Sequence, residues 1–215
     1  MQTVLINSLD TPDLPALPYP HAPRRPGWLW ISLHILLLVS ALLLSSPAWS
    51  DAGEEEEIWL QVDTQALILR VMRGQQPIKT YEDIAIGRFG TTEDKRHLDG
   101  KTQLGEFRIS LIKNSSAYRR FFGFDYPRLD QAERALEQGD LPPDEFKAIH
   151  SAVREHRVPP QNTALGGHVG IHGIGAGDPK IHASYNWTKG CIALTNSQID
   201  ELAQWIRLGV RVVIY

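Results

Sequence analysis

The 215-residue chain has a single cysteine, Cys191, and only two methionines. One cysteine excludes an internal disulfide, so nothing covalent staples the fold. The chain also lacks a basic excess. Its formal net charge is −3 at pH 7, and residues 54–57 are four consecutive glutamates. A phosphate backbone would find no field to neutralise, which argues against nucleic acid as a partner. Long apolar runs are scarce as well: the one present spans Trp28 to Leu44. No segment repeats internally.

That run sits in residues 24–50, RRPGWLWISLHILLLVSALLLSSPAWS. Two arginines precede it, and Ala48 and Ser50 occupy the minus-three and minus-one places of a cleavage site, the anatomy of a secretory signal. The twin arginines point weakly to the twin-arginine route. Retention as an anchor is the alternative, since about 17 residues is the lower limit for spanning a bilayer; the membrane then enters only through this segment. The expected organisation is a proline-rich disordered stretch (1–27), a signal region (28–50), an acidic linker (51–57) and a domain over 58–215. Removing the first 50 residues leaves about 165, enough for one domain with a sizeable core.

The domain reads as mainly β. Ile58, Leu60 and Val62 alternate with Trp59 and Gln61, ALILRVM follows a turn, and Arg73-Gly74 marks the next turn, giving an antiparallel meander. GEFRISLIK is a further strand and VRVVIY the last. The polar, glycine-punctuated stretch of residues 87–104 reads as a long loop of the kind that carries function. LDQAERALEQGD and LPPDEFKAIHSAVREH have helical spacing, with Asp144 a candidate cap, and form a helical insertion over 125–160. Residues 166–182 are so rich in glycine that a strand between turns is expected there. NSQIDELAQWIRLG is helical, capped by Asn196 or Ser197 and stopped at Gly209.

An exported, unpaired cysteine is a packing group, a link to another chain, or a nucleophile. A nucleophilic thiol needs a base or an electropositive setting. Candidate bases are His168, His172 and His182. Gly173 and Gly175 leave room beside His172, and Gly190 would let backbone amides approach a carbonyl, as an oxyanion hole requires. Two other readings stay open at this point. In one, the three histidines and Cys191 ligate zinc, although positions four apart on a strand are awkward for chelation. In the other, Cys191 is core and the domain is a wall-binding module without chemistry.

The segment IHGIGAGDPKIHASYNWTKGCIALTN couples IHG to a downstream T-x-GC. This pairing resembles the signature of the L,D-transpeptidase catalytic family, the YkuD domain, in a branch ending WT-x-GCIAL. KRHLDGKTQLGEF resembles the family's K…GD-x-x-T-P-x-G-x-F segment. The resemblance implies a YkuD-type β-sandwich of mixed sheets with a few short helices. It implies Cys191 as nucleophile, His172 as base, the Gly173 carbonyl as orienter of the imidazole, and the Gly190 and Cys191 amides as oxyanion donors. Thr188, Lys189, His168, Trp187 and Ala193 are the expected substrate contacts. Three positions depart from the family pattern: Lys189 replaces the histidine before GC, Ala193 the arginine or asparagine after it, and Gln103 the proline of T-P-x-G. No metal or organic cofactor is implied.

The implied reaction is attack on the carbonyl of the diaminopimelate–D-alanine bond of a peptidoglycan stem peptide. The acyl group then passes to a neighbouring stem (a 3–3 cross-link) or to the lysine of an envelope protein. Passage to water would make the protein an L,D-carboxypeptidase or amidase of the same fold. The implied location is the periplasm or cell envelope.

Overall fold

The computed structural model describes residues 56–215, so the proline-rich stretch, the signal region and its cleavage site lie outside the described residues. The alternation seen at Ile58–Val62 becomes β1 (Ile58–Asp63), which buries Leu60 and Val62 completely. It pairs antiparallel with β2 (Ile68–Arg73), and β2 pairs antiparallel with β3 (Gln76–Tyr81). This is the expected meander.

Two short strands, β4 (Thr91–Thr92) and β5 (Thr102–Gln103), form a parallel pair inside the long polar loop. Next come β6 (Gly105–Ser116) and β7 (Arg119–Phe124), then helices α1 (Leu129–Glu137) and α2 (Pro143–Arg154). The chain continues through β8 (Gly170–Gly173), α3 (Pro179–Ser184), β9 (Ile192–Leu194), α4 (Asn196–Leu202), a 3-10 turn at Ala203–Trp205, and β10 (Arg211–Ile214).

The main sheet is mixed and eight-stranded, in the order β3-β2-β1-β10-β6-β7-β8-β9. Its seam is β6. Gly105–Arg108 pair with β10, whereas Ile109–Ser116 pair with β7 across a register shift between Ile109 and Leu111. Such an irregularity bends a strand and increases its twist, so one strand serves two half-sheets. Their buried faces, Leu60, Val71 and Val212 from one half and Phe122, Ile171 and Leu194 from the other, belong to one core. The C-terminal strand β10 lies in mid-sheet, parallel to β1. No helix among the described residues is long and apolar enough to cross a membrane.

The helix caps differ from expectation. Asp144 lies inside the first turn of α2, whose N-cap is Pro142. For α4 the cap is Thr195, whose hydroxyl accepts from the Gln198 amide at 3.2 Å while Gln198 Oε1 accepts from Thr195 N–H at 2.9 Å. Asn196 cannot cap because its side chain is bound to both the N–H and C=O of Gly175. The six-residue α3 is absent from the sequence reading, yet it carries ordinary start signals: Asp178 accepts from the Lys180 amide, and Pro179 occupies the first turn.

Candidate active site

Strand β8 lies between β7 and β9, which is why its four residues are all buried. The parallel register pairs Ile171 with Ile192 and His172 with Ala193. Continued back by one residue, it sets Cys191 beside Gly170. Residues two apart on a strand share a face, so Cys191 and His172 project from the same side of the sheet. Both open onto a cavity of about 580 Å3.

His172 is 4% exposed, and its Nδ1 lies 2.7 Å from the Gly173 carbonyl. A carbonyl only accepts, so Nδ1 carries the proton and Nε2 keeps a free lone pair. Aromatic rings hold the imidazole: Tyr118 at 4.5 Å between centroids and Trp187 edge-on at 5.8 Å. Burial holds its pKa below the ordinary histidine value; nearby His182 adds to that, and the Gly173 carbonyl opposes it. Cys191 is partly buried, with Sγ donating to the His168 carbonyl at 3.3 Å. Burial pushes its thiol up to about 11, while a backbone hydrogen bond at Gly170 and the Lys95 charge pull the other way. Both effects favour the neutral thiol and the neutral imidazole.

The turn before Cys191 is tied by Thr188, which is 3% exposed. Its hydroxyl donates to the Cys191 carbonyl at 2.6 Å and accepts from the Gly190 amide at 3.1 Å. With both hydrogen-bonding directions in use, Thr188 shapes the turn. The Gly190 amide is engaged in the same bond, so serving as an oxyanion donor would require giving it up.

The other expected site residues divide. His168, Trp187 and Lys189 line the cavity. His182 does not: it is buried, and its Nδ1 accepts from Trp187 Nε1 at 3.3 Å. Ala193 is fully buried, and its N–H and C=O both bond to Ala85, so a substrate contact there is ruled out. Gly173 and Gly175 leave no room for a ligand either. A Cβ on Gly173 would meet Asn196 Oδ1 at 2.8 Å, and one on Gly175 the Ala117 carbonyl at 2.1 Å, so protein fills both places. Among the described residues no three His, Cys, Asp or Glu side chains gather as metal ligands.

The polar loop supplies part of the cavity wall through Lys95, His97 and Leu98. Helices α1 and α2 do not; the wall on that side comes from Gln161 and Gly166–Val169, which follow them. Gln103, in place of the family's proline, staples this loop. Its Oε1 accepts from Lys95 N–H at 2.9 Å and its Nε2 donates to the carbonyls of Glu93 and Leu104. Lys95 opens the KRHLDGKTQLGEF segment that carries part of the family resemblance, but its burial and its approach to the Cys191 turn escape sequence reasoning, because a lysine in a polar loop is ordinarily solvated. Lys95 itself is paired with Asp99, but Lys113 and Lys189 are exposed on a cavity wall that includes no carboxylate, an arrangement complementary to an anionic ligand.

Among curated proteins none matches this chain. Among solved structures, it resembles the helical cell shape determining protein Pgp2 of Campylobacter jejuni. The K307A mutant gives a TM-score of 0.51 at 20% identity, over 75% of this chain and 47% of that one. Pgp2 without that substitution gives 0.50 at 21% identity, over 77% and 52%. Bd1075 of Bdellovibrio bacteriovorus gives 0.46 at 21% identity, over 77% and 50%. The matched region spans about half the length of each, and at these identities the Pgp2 likeness speaks to the fold. The family model described as the L,D-transpeptidase catalytic domain, YkuD, matches residues 57–214. This chain belongs to the L,D-transpeptidase catalytic domain family.

Proposed function

We propose that this protein catalyses cysteine-dependent acyl transfer on peptidoglycan stem peptides. The observation that carries the reading is the shared cavity: Cys191 and His172 open onto it from one face of the sheet, with Nδ1 of His172 held by Gly173 and Nε2 free. Cys191 Sγ attacks the carbonyl of the diaminopimelate–D-alanine bond as His172 Nε2 takes the thiol proton. The C–N bond breaks, the proton passes to the departing D-alanine amine, and a thioester remains. The Cys191 amide is the oxyanion donor, joined by Gly190 if Thr188 releases it. Lys189 and Lys113, exposed on the cavity wall and without a carboxylate partner among the described residues, meet the carboxylates of the stem peptide.

An amine then attacks the thioester and restores the thiol. A second cavity of about 370 Å3 shares Ala117, Tyr118 and Trp187 with the first and includes Asp178, a carboxylate suited to a cationic amine. Its presence favours transfer over hydrolysis. Hydrolysis is the second reading, favoured by the partial exposure of Cys191, which lets water reach the thioester. Export to the envelope through residues 24–50 belongs to the same proposal.

The test is incubation of the reduced protein, and of Cys191→Ala, with disaccharide tetrapeptide muropeptides, followed by intact-protein and product mass spectrometry. Transfer gives an acyl adduct on the wild type only, released D-alanine and 3–3 linked dimers. Tripeptide without dimers establishes the hydrolase. Neither adduct nor product, with Cys191 inert to iodoacetamide, overturns the catalytic reading.

A further inference from the structure

Behind the turn that carries Cys191 lies a lysine the reaction scheme leaves unused. Lys95 is 5% exposed, and a buried ammonium is costly unless paired and hydrogen-bonded. Its Nζ donates to Asp99 Oδ1 at 2.6 Å, to the Lys101 carbonyl at 2.8 Å and to the Lys189 carbonyl at 3.4 Å. These three partners match the three donors of an ammonium. Asp99 is itself fixed, accepting from the amides of Arg96 and Lys101. Lys95 is thus held from behind by a carboxylate and reaches forward to the peptide unit joining Lys189 to Gly190.

Gly190 shows how tight the arrangement is. Its φ is +131°, and a Cβ there would lie 2.6 Å from the Lys101 carbonyl oxygen and 2.7 Å from Lys95 Nζ. The ammonium therefore packs directly against the residue preceding the nucleophile. Gln103 fixes the backbone of Lys95 from the other side. The contact between Lys95 and Lys189 links residues 94 apart in sequence.

We propose that Lys95, oriented by Asp99, is the positioning residue of the Cys191 turn: its ammonium clamps the Lys101 and Lys189 carbonyls and supplies the fixed positive charge behind the sulfur. The proposal rests on Cys191 being the nucleophile. The charge acts as sulfur or substrate oxygen becomes negative, and the clamp keeps the Gly190 and Cys191 amides in place. Other titratable groups around the thiol are His172 on β8, His168 before it, Lys189 in the turn, Lys113 on β6, Tyr118 between β6 and β7 and His97 in the loop, with Asp99 behind the ammonium.

The test reads the thiol directly. The rate of Cys191 alkylation by iodoacetamide is measured against pH for the full chain and for Lys95→Met, Lys95→Gln and Lys95→Arg, with thermal melts as a check on folding. Loss of the charge raises the midpoint, read as a several-fold loss of alkylation rate at a given pH. Both uncharged variants show it, while Lys95→Arg keeps the wild-type midpoint. Glutamine can still donate to the carbonyls, so Lys95→Gln decides if Lys95→Met fails to fold. A folded, uncharged variant with the wild-type midpoint overturns the proposal. Muropeptide turnover plays no part in this readout, so failure of the positioning role and failure of the proposed reaction are told apart.

Discussion

Replacing Thr188 by valine keeps shape and nearly all volume but removes the hydroxyl that ties the Cys191 turn. The hydroxyl makes two bonds, accepting from the buried Gly190 amide and donating to the Cys191 carbonyl. Valine leaves the amide of Gly190, a buried residue at the cavity wall, without its side-chain partner, so that only cavity water can offset the loss. An orphaned buried donor costs about 1–3 kcal/mol and a lost ordinary bond about 1 kcal/mol, so Thr188→Val should destabilise by about 2–4 kcal/mol. For a domain of this size that lowers Tm by roughly 5–15 °C. Thr188→Ser is the control: it keeps both bonds and loses one buried methyl, about 1 kcal/mol. Thermal melts and urea titrations of the three proteins measure the difference. If serine costs more than valine, packing and not the hydroxyl holds the turn, and the reasoning fails.

Three further expectations follow from the same geometry. His172 and His182 are both held below the ordinary histidine value by burial. The unfolded chain takes up protons as pH falls through about 6.5 while the folded chain does not. Stability should therefore drop from pH 7.5 towards 5.5 and level off below the folded pKa values; a Tm that rises over this interval contradicts the assignment. Gln103→Pro, which installs the residue usual in the family, strips the Lys95 amide of its acceptor and should cost about 1–3 kcal/mol in urea unfolding; a gain in stability would refute the stapling role. Tyr126→Phe removes a buried hydroxyl that donates to the Leu165 carbonyl at 2.7 Å and should cost about 1–2 kcal/mol, with an unchanged melt as the contrary result.

Local periodicity carried much of the fold into view. The β1–β3 meander is legible because alternation places Leu60, Val62, Leu69 and Val71 on one buried face. Helices α1 and α2 are legible from their 3.6-residue spacing. Strand β7 is less so: its buried Phe122 and Phe124 sit within RRFFGF, a stretch whose charged and aromatic residues do not announce the pairing with β6 and β8. The cap of α4 was misplaced by one residue because threonine, asparagine and serine adjoin there, and only the bond from Asn196 to Gly175 decides among them.

For the site, sequence by itself determined the family and singled out Cys191 and His172 as the proposed reacting pair, since a histidine and a cysteine in coupled motifs are a local pattern of residue types. Which groups surround them was decided by tertiary structure. The wall that presents Lys95 is brought up by the β4–β5 pair, and its contact with Lys189 spans 94 residues that no periodicity connects. Ala193 lies two residues from Cys191 and is nonetheless fully buried, because its backbone is spent on Ala85. The physical reason is the same in both cases. Sequence spacing specifies which face of an element a side chain takes, but what that face meets depends on sheet register and loop packing between distant segments.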